Sequence, residues 1–352
     1  MKQQVKNRGQ LRWDGFDILK CLCAFLIVCI HTPYPGIGYI YFNSLCRIAV
    51  PIFFMITGFF SQTVVDKERE IKQIKKITII FIGANLLYFV FSILIVALKG
   101  TGVLNYLKST LTIKTLLKFL ILNESPFGGH LWYLGAILYV LVIVALARRF
   151  RLMKLLYFLT PFLLIIDLVA GKYSILLFDR EFPYIIVRNF LFVGIPYFCI
   201  GSFISKYKNV INEKLSDKKW VLGVCIVLFS ATTLLEKYML VIHNINATRD
   251  HYISTTFLSC VVFVLFMLTY HREINTPEHI AARIGREYST LIYVVHPIFI
   301  TVLSYIFGKI GLASLYTPLR PIIVYIFTIA GVAFYQFLLK KIRQLKEKSR
   351  LV

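Results

Sequence analysis

Charge is what this chain has little of. Asp, Glu, Lys and Arg make up 16% of its 352 residues, where a soluble domain carries about 25%. An ordinary soluble enzyme is thereby disfavoured. Acids are scarcest, with 17 Asp and Glu against 40 Lys and Arg. The seven cysteines all lie in apolar runs, and none has a partner at metal-ligand spacing. They read as small buried hydrophobes, and no metal is expected. The first apolar run lacks a small-x-small cleavage site, so no cleavable signal peptide is expected. Internal repeats and low-complexity tracts are absent, and no stretch suggests a separate soluble domain.

Hydrophobic residues are abundant instead, at 58% of the chain. They form runs of about 18–24 residues, the length a membrane-crossing helix needs. Barrel strands would alternate over about ten residues, so helices are expected. The fold class is therefore all-α, a polytopic integral membrane protein of about ten transmembrane helices. The expected spans are 16–33, 38–60, 76–98, 130–147, 153–170, 186–205, 220–241, 252–270, 287–306 and 320–339.

The net charge of +23 could suggest nucleic acid, but its placement argues for topology and no nucleic-acid partner. Twenty-seven of the 40 Lys and Arg fall at the two ends and in the connections 61–76, 148–155, 206–219 and 271–286. Nine fall in the alternate connections 34–37, 99–129, 171–185, 242–251 and 307–320. Lys20, Arg47, Arg188 and Lys237 are left within the spans. This asymmetry places both termini in the cytoplasm. The outer segment NYLKSTLTIKTLLKFLIL reads as one amphipathic surface helix, or as a tilted eleventh span. The basic tail, about 340–352, is a cytoplasmic helix or a solvated end.

Ionisable groups inside apolar spans are costly, and they mark function by default. Asp17, Lys20 and His31 lie in the first span. On a helix, Lys20 and His31 point within about 20° of each other and lie about 16 Å apart along the axis. Asp17 is about 21 Å from His31, so no His–Asp dyad can form within this span. Snorkelling of Lys20 with His31 at the outer surface is the plainer alternative. Arg47 sits near the midplane of the second span, where a guanidinium needs an anionic or dipolar partner. An anionic ligand, an ion pair with Asp17 or helix carbonyls would each serve. Pro51 and Gly58 permit a kink and close helix approach. His130 opens the fourth span beside Trp132 and Tyr133, residues of an aromatic belt. His296 lies near mid-depth, and Pro297 after it frees a backbone carbonyl. His243, His251, His271 and His279 fall in connections and carry no expected role.

Taken in order, these stretches resemble the membrane-bound acyltransferase-3 family, whose members O-acylate extracytoplasmic glycans. The family's first span carries Arg or Lys, ten residues, then His; here this is Lys20-x10-His31, with Asp17 three residues before the cation. PIFFMITGFF resembles the end of the family's second span, with Thr57 where Ser is commoner. The Arg-x3-Arg expected next appears as Lys72-x3-Lys76. HLWYL, RNFLFVGIPYFCIG and LIYVVHP are similar to further landmarks, so the likeness covers nearly all of residues 1–352 as a single acyltransferase-3-like domain. Some relatives with this membrane fold are attached to racemases; the short basic tail here carries no such domain.

The resemblance implies a membrane-bound O-acyltransferase of the plasma membrane, acting on acyl groups other than amino-acyl. The donor would be acetyl-CoA or another acyl-CoA as co-substrate, with no tightly bound cofactor. The acceptor would be a cell-surface glycan or lipid-linked saccharide. His31 is the candidate base, since imidazole titrates near neutral pH, and Asp17 and Lys20 complete the catalytic set. Arg47, Lys72, Lys76, His130, Trp132, Arg188 and His296 are candidates for donor or substrate binding. Lysine at both basic positions still attracts phosphate, without the bidentate fork of arginine. Two rival readings stand beside this one. A transporter of a small polar or anionic solute would also place Arg and His at mid-depth, and a structural partner in polysaccharide export is the other.

Overall fold

The protein is described by a computed structural model covering residues 11–62, 67–245, 247, 249–273 and 276–348. Lys2, Lys6, Arg8 and Arg350, counted above for topology, lie outside these residues. The described chain is almost wholly helical, with one two-stranded antiparallel ribbon pairing Leu11–Trp13 with His271–Glu273. Among the described residues, seven helices are long and apolar enough to cross a membrane. They are Ile37–Ser61, Lys67–Leu98, Gly129–Arg149, Met153–Ala170, Lys208–Ile242, Ser289–Lys309 and Ala313–Glu347. The protein is thus an all-α membrane protein. The other three expected spans coincide with helices that are shorter or more polar. Phe190–Lys206 and Ile253–Leu268 are short, and Asp14–His31 carries Asp14, Asp17 and Lys20.

Two local departures from the sequence reading have clear causes. The second span is broken into Ile37–Cys46 and Ala49–Ser61, with Arg47 and Ile48 between. Pro51 cannot donate to the carbonyl four residues back, and its ring crowds that carbonyl, which belongs to Arg47. The single amphipathic helix expected after residue 99 is instead two, Val103–Thr110 and Ile113–Leu122. Thr112 starts the second: its hydroxyl accepts from the Thr115 amide at 3.2 Å, and Thr115 accepts from the Thr112 amide at 3.0 Å. This reciprocal cap satisfies two donors that a helix start leaves open. Neither piece reaches spanning length.

The described residues divide into two compact units. The first draws on Met1–Ala49, Lys219–Gly223 and Val261–Val352. Its helix Asp14–His31 packs against Ile280–Glu287 with backbone in near contact, because a Cβ on Gly285 would overlap the Asp17 carbonyl. Ala24, Val28, Ile292, Leu303, Val324 and Val332 form its apolar centre. The second unit draws on Val50–Lys218 and Val224–Cys260. There, a Cβ on Gly58 would strike the Phe198 carbonyl, and one on Gly201 would strike the backbone of Met55. Small residues facing each other let two helices approach closely where lipid offers no hydrophobic driving force. Gly58 therefore does what its position in the second span suggested.

Candidate active site

In the first unit, His31 and His296 come together. His31 closes the helix Asp14–His31, and His296 lies inside Ser289–Lys309. Their ring centroids are 5.1 Å apart, with planes inclined by 41°. His296 is 0% exposed, whereas His31 is exposed. The Nδ1 of His296 bonds the carbonyls of Tyr293 at 2.8 Å and Ile292 at 3.1 Å. Carbonyl oxygens only accept, so Nδ1 carries a proton and is the donor. The Tyr293 carbonyl is available because its helical donor would be the missing amide of Pro297.

Arg47 reaches toward the same helix end through a polar chain. Its Nε donates to Asn43 Oδ1 at 2.8 Å, Asn43 Nδ2 donates to Tyr39 Oη at 2.7 Å, and the Tyr39 hydroxyl donates to the Ile30 carbonyl at 2.9 Å. Ile30 precedes His31. Tyr39, Asn43 and Arg47 recur every four residues and so share one helix face. That spacing was visible in the sequence, but Tyr39 and Asn43 went unnoticed because neither is charged.

At the other end of the first helix, Lys20 Nζ donates to Asp17 Oδ1 at 2.8 Å. Arg12 approaches the other Asp17 oxygen at 3.5 Å. Asp17 is buried and Lys20 partly so. The pair gives the lysine charge a fixed direction within an apolar helix.

Lys72, Lys76, His130, Trp132 and Arg188 belong to the second unit. Lys72 and Lys76 lie exposed, one turn apart, on Lys67–Leu98. Lys72 bonds Glu68 at 3.2 Å. An exposed pair of this kind contributes at most about 1 kcal/mol, so an anionic ligand can displace it. His130 is buried edge-on against Tyr88, at 4.6 Å between centroids. Trp132 is buried, with the guanidinium of Arg188 at 5.5 Å from its ring. Arg188 lies ahead of the helical stretch starting at Phe190, not inside a helical span as the sequence suggested. Asn189 causes this: its Oδ1 accepts from the amides of Leu191 and Phe192, so the helix begins after it.

His251 also corrects the sequence reading. It lies in a connection yet is buried, with Nδ1 at 2.7 Å from Asp167 Oδ2. Nothing local in the sequence signals this pair, since its members come from distant segments.

The chain matches the model of the acyltransferase domain, Acyl_transf_3, over residues 13–336. It belongs to the acyltransferase-3 family. Its long apolar helices make it a membrane protein of that family. Among curated proteins it is similar to two from Enterococcus faecalis, each described as an amino-acid racemase. One is 24% identical over 313 residues, covering 83% of this chain and 41% of the relative. The other is 28% identical over 224 residues, covering 57% of this chain and 29% of the relative. The chain thus spans less than half the length of the curated relatives it matches. No solved structure matches it.

Among the described residues, the paired histidines and the Arg47 chain are groups suited to acyl transfer. A base must take a hydroxyl proton, and a cation or donor must meet the oxyanion. An exposed imidazole beside a buried one held by its Nδ1 bonds meets the first need. A guanidinium held by an amide meets the second.

Proposed function

We propose that the protein transfers an acyl group, acetyl or a close relative, from cytoplasmic acyl-CoA to a hydroxyl of a cell-surface or lipid-linked glycan. The contact between His31 and His296 carries this reading, because it sets the candidate base against a buried ring whose position is fixed by its Nδ1 bonds. His31 removes the hydroxyl proton as that oxygen attacks the thioester carbonyl. The tetrahedral oxyanion then collapses, the C–S bond breaks, and the imidazolium returns its proton to the departing thiolate. Arg47 answers the oxyanion charge. His296 holds the His31 ring in place by packing against it, with ring centroids 5.1 Å apart.

Lys72 and Lys76 receive the phosphates of the donor as point charges. Lys20, oriented by Asp17, stands at the cytoplasmic mouth. The charge asymmetry supports ten spans, with both termini cytoplasmic and the chain in the plasma membrane. In that count the short helices Phe190–Lys206 and Ile253–Leu268 and the polar helix Asp14–His31 also cross. The charged residues of Asp14–His31 suit a span that lines a passage rather than faces lipid.

The test is direct. Purified protein in nanodiscs is supplied with radiolabelled acetyl-CoA and a glycan acceptor. Label is expected in the glycan and free coenzyme A in solution. Absence of both, with acceptor and donor present at saturation, would sink the reading.

A further inference from the structure

Arg188 differs from its neighbour Arg249 in one respect: among the described residues no carboxylate pairs with it. The two guanidinium groups share the ring of Tyr184, with carbons 4.3 Å and 4.9 Å from its centroid. Arg249 is answered by Glu181 at 2.8 Å and also donates to the Phe182 carbonyl. The contacts of the Arg188 guanidinium among the described residues are the rings of Tyr184 and Trp132. Two like charges beside one ring repel, and among the described residues a carboxylate, Glu181, answers Arg249 alone.

The surroundings fix Arg188 in place. Its neighbours Val187 and Asn189 are buried, 1% and 3% exposed. The Asn189 side-chain amide donates to the carbonyls of Ile185 and Ile186, at 3.2 and 2.9 Å. Trp132 is held from its backbone, because Asn123 Nδ2 donates to its carbonyl at 3.0 Å. Aromatic rings engage a guanidinium through its flat face. The N–H groups lie in the plane and stay directed outward, in the fork that matches a carboxylate or phosphate. A stacked and partly exposed arginine is thus organised for an anion before any arrives.

We infer that Arg188, backed by Tyr184 and Trp132, is the subsite for a negatively charged group, carboxylate or phosphate, on the glycan acceptor. The inference rests on the proposed function in one respect. The connection 171–185 is on the outer side in that reading, where acceptor and not donor is met. Specificity follows from the chemistry. A neutral glycan leaves the Arg188 charge unanswered, whereas an acidic one completes the pair that Arg249 already has with Glu181. Arg188 then selects among acceptors and plays no part in the proton transfer.

The experiment uses the full chain in nanodiscs of phosphatidylcholine. The probes are an oligouronate, its carboxyl-reduced neutral counterpart, and an oligomeric glycerol phosphate. Binding is followed by calorimetry and acyl transfer by label. Wild type should bind at least one anionic probe about tenfold more tightly than the neutral one, the effect of a charge-assisted hydrogen bond of about 1.5–3 kcal/mol. Arg188→Gln should erase that preference while leaving the KM for acyl-CoA unchanged. Arg188→Lys should keep part of it, and its melting temperature controls for folding. Equal binding of all three probes by wild type, or an intact preference in a folded Arg188→Gln protein, would overturn the subsite. A second arm adds phosphatidylglycerol to the nanodiscs. Arg188-dependent retention of that lipid, with no preference among glycans, would assign the anion to a headgroup and overturn the acceptor subsite. An Arg188-dependent glycan preference without acyl transfer would uphold the subsite and defeat the acyltransfer reading alone.

Discussion

His296 donates from Nδ1 to the carbonyl of Tyr293 at 2.8 Å, filling the bond that Pro297 cannot make. Proline inside a helix normally leaves a carbonyl unsatisfied and costs about 3 kcal/mol or more. Here the preceding side chain takes up that acceptor. The proline therefore fixes the Nδ1 bond of the ring that meets His31, 5.1 Å away between centroids.

Replacing His31 by Ala should lower turnover by roughly 10²–10⁴-fold, the contribution of a general base. His31→Gln should fail similarly, because an amide can form a hydrogen bond but cannot take up the proton. Acyl transfer and detergent melting are measured together for both variants. Full activity in His31→Gln would leave His31 as an interfacial histidine.

His296→Asn separates positioning from packing. The Asn amide can still donate where Nδ1 does, so the melting temperature should hold. It lacks the ring that packs against His31, so kcat should fall about tenfold or more, and the acid limb of the pH–rate profile should move. An unchanged profile with wild-type kcat would reduce His296 to a helix-stabilising residue.

The double variant Lys72→Gln, Lys76→Gln should raise the KM for acyl-CoA, with kcat at saturating donor little changed. Arg at both positions should preserve binding. Donor binding equal to wild type in the Gln variant would leave these lysines as topological markers.

Orientation is checked by cysteine labelling in intact cells, in a background where the native cysteines are replaced. Positions introduced within 206–219 should resist an impermeant reagent, and positions within 171–185 should react. Labelling of 206–219 from outside would reverse the topology.

Glu287, ahead of the helix Ser289–Lys309, gives a pH test. Partial burial pushes its carboxyl up, but the Arg286 hydrogen bond and the charges of Arg283 and Arg286 hold it below the usual 4.5. A depressed carboxylate contributes stability above its unfolded pKa and loses it as pH falls through the folded value. Melting temperature should therefore fall as pH drops below about 4.5, less so in Glu287→Gln. Identical acid limbs in the two proteins would show that the arginines add nothing there.

By itself the sequence determined the membrane class, the long apolar helices, the charge asymmetry and the family. Each of these is a local or summed property, read from run length, composition or short spacing. It also marked a kink in the second span through Pro51, and the freed carbonyl beside His296 through Pro297, because proline acts on its own helix. Tertiary structure alone decided which polar groups meet. His31 finds His296, and Asp167 finds the loop residue His251. Both are pairs from distant segments, joined by helix packing that hydropathy does not encode. Arg188 shows the same limit from the other side. Its charge was plain in the sequence, but that no carboxylate among the described residues pairs with it is decided by the packing of Tyr184, Arg249 and Glu181. Periodicity places a residue on a face, and packing decides what that face meets.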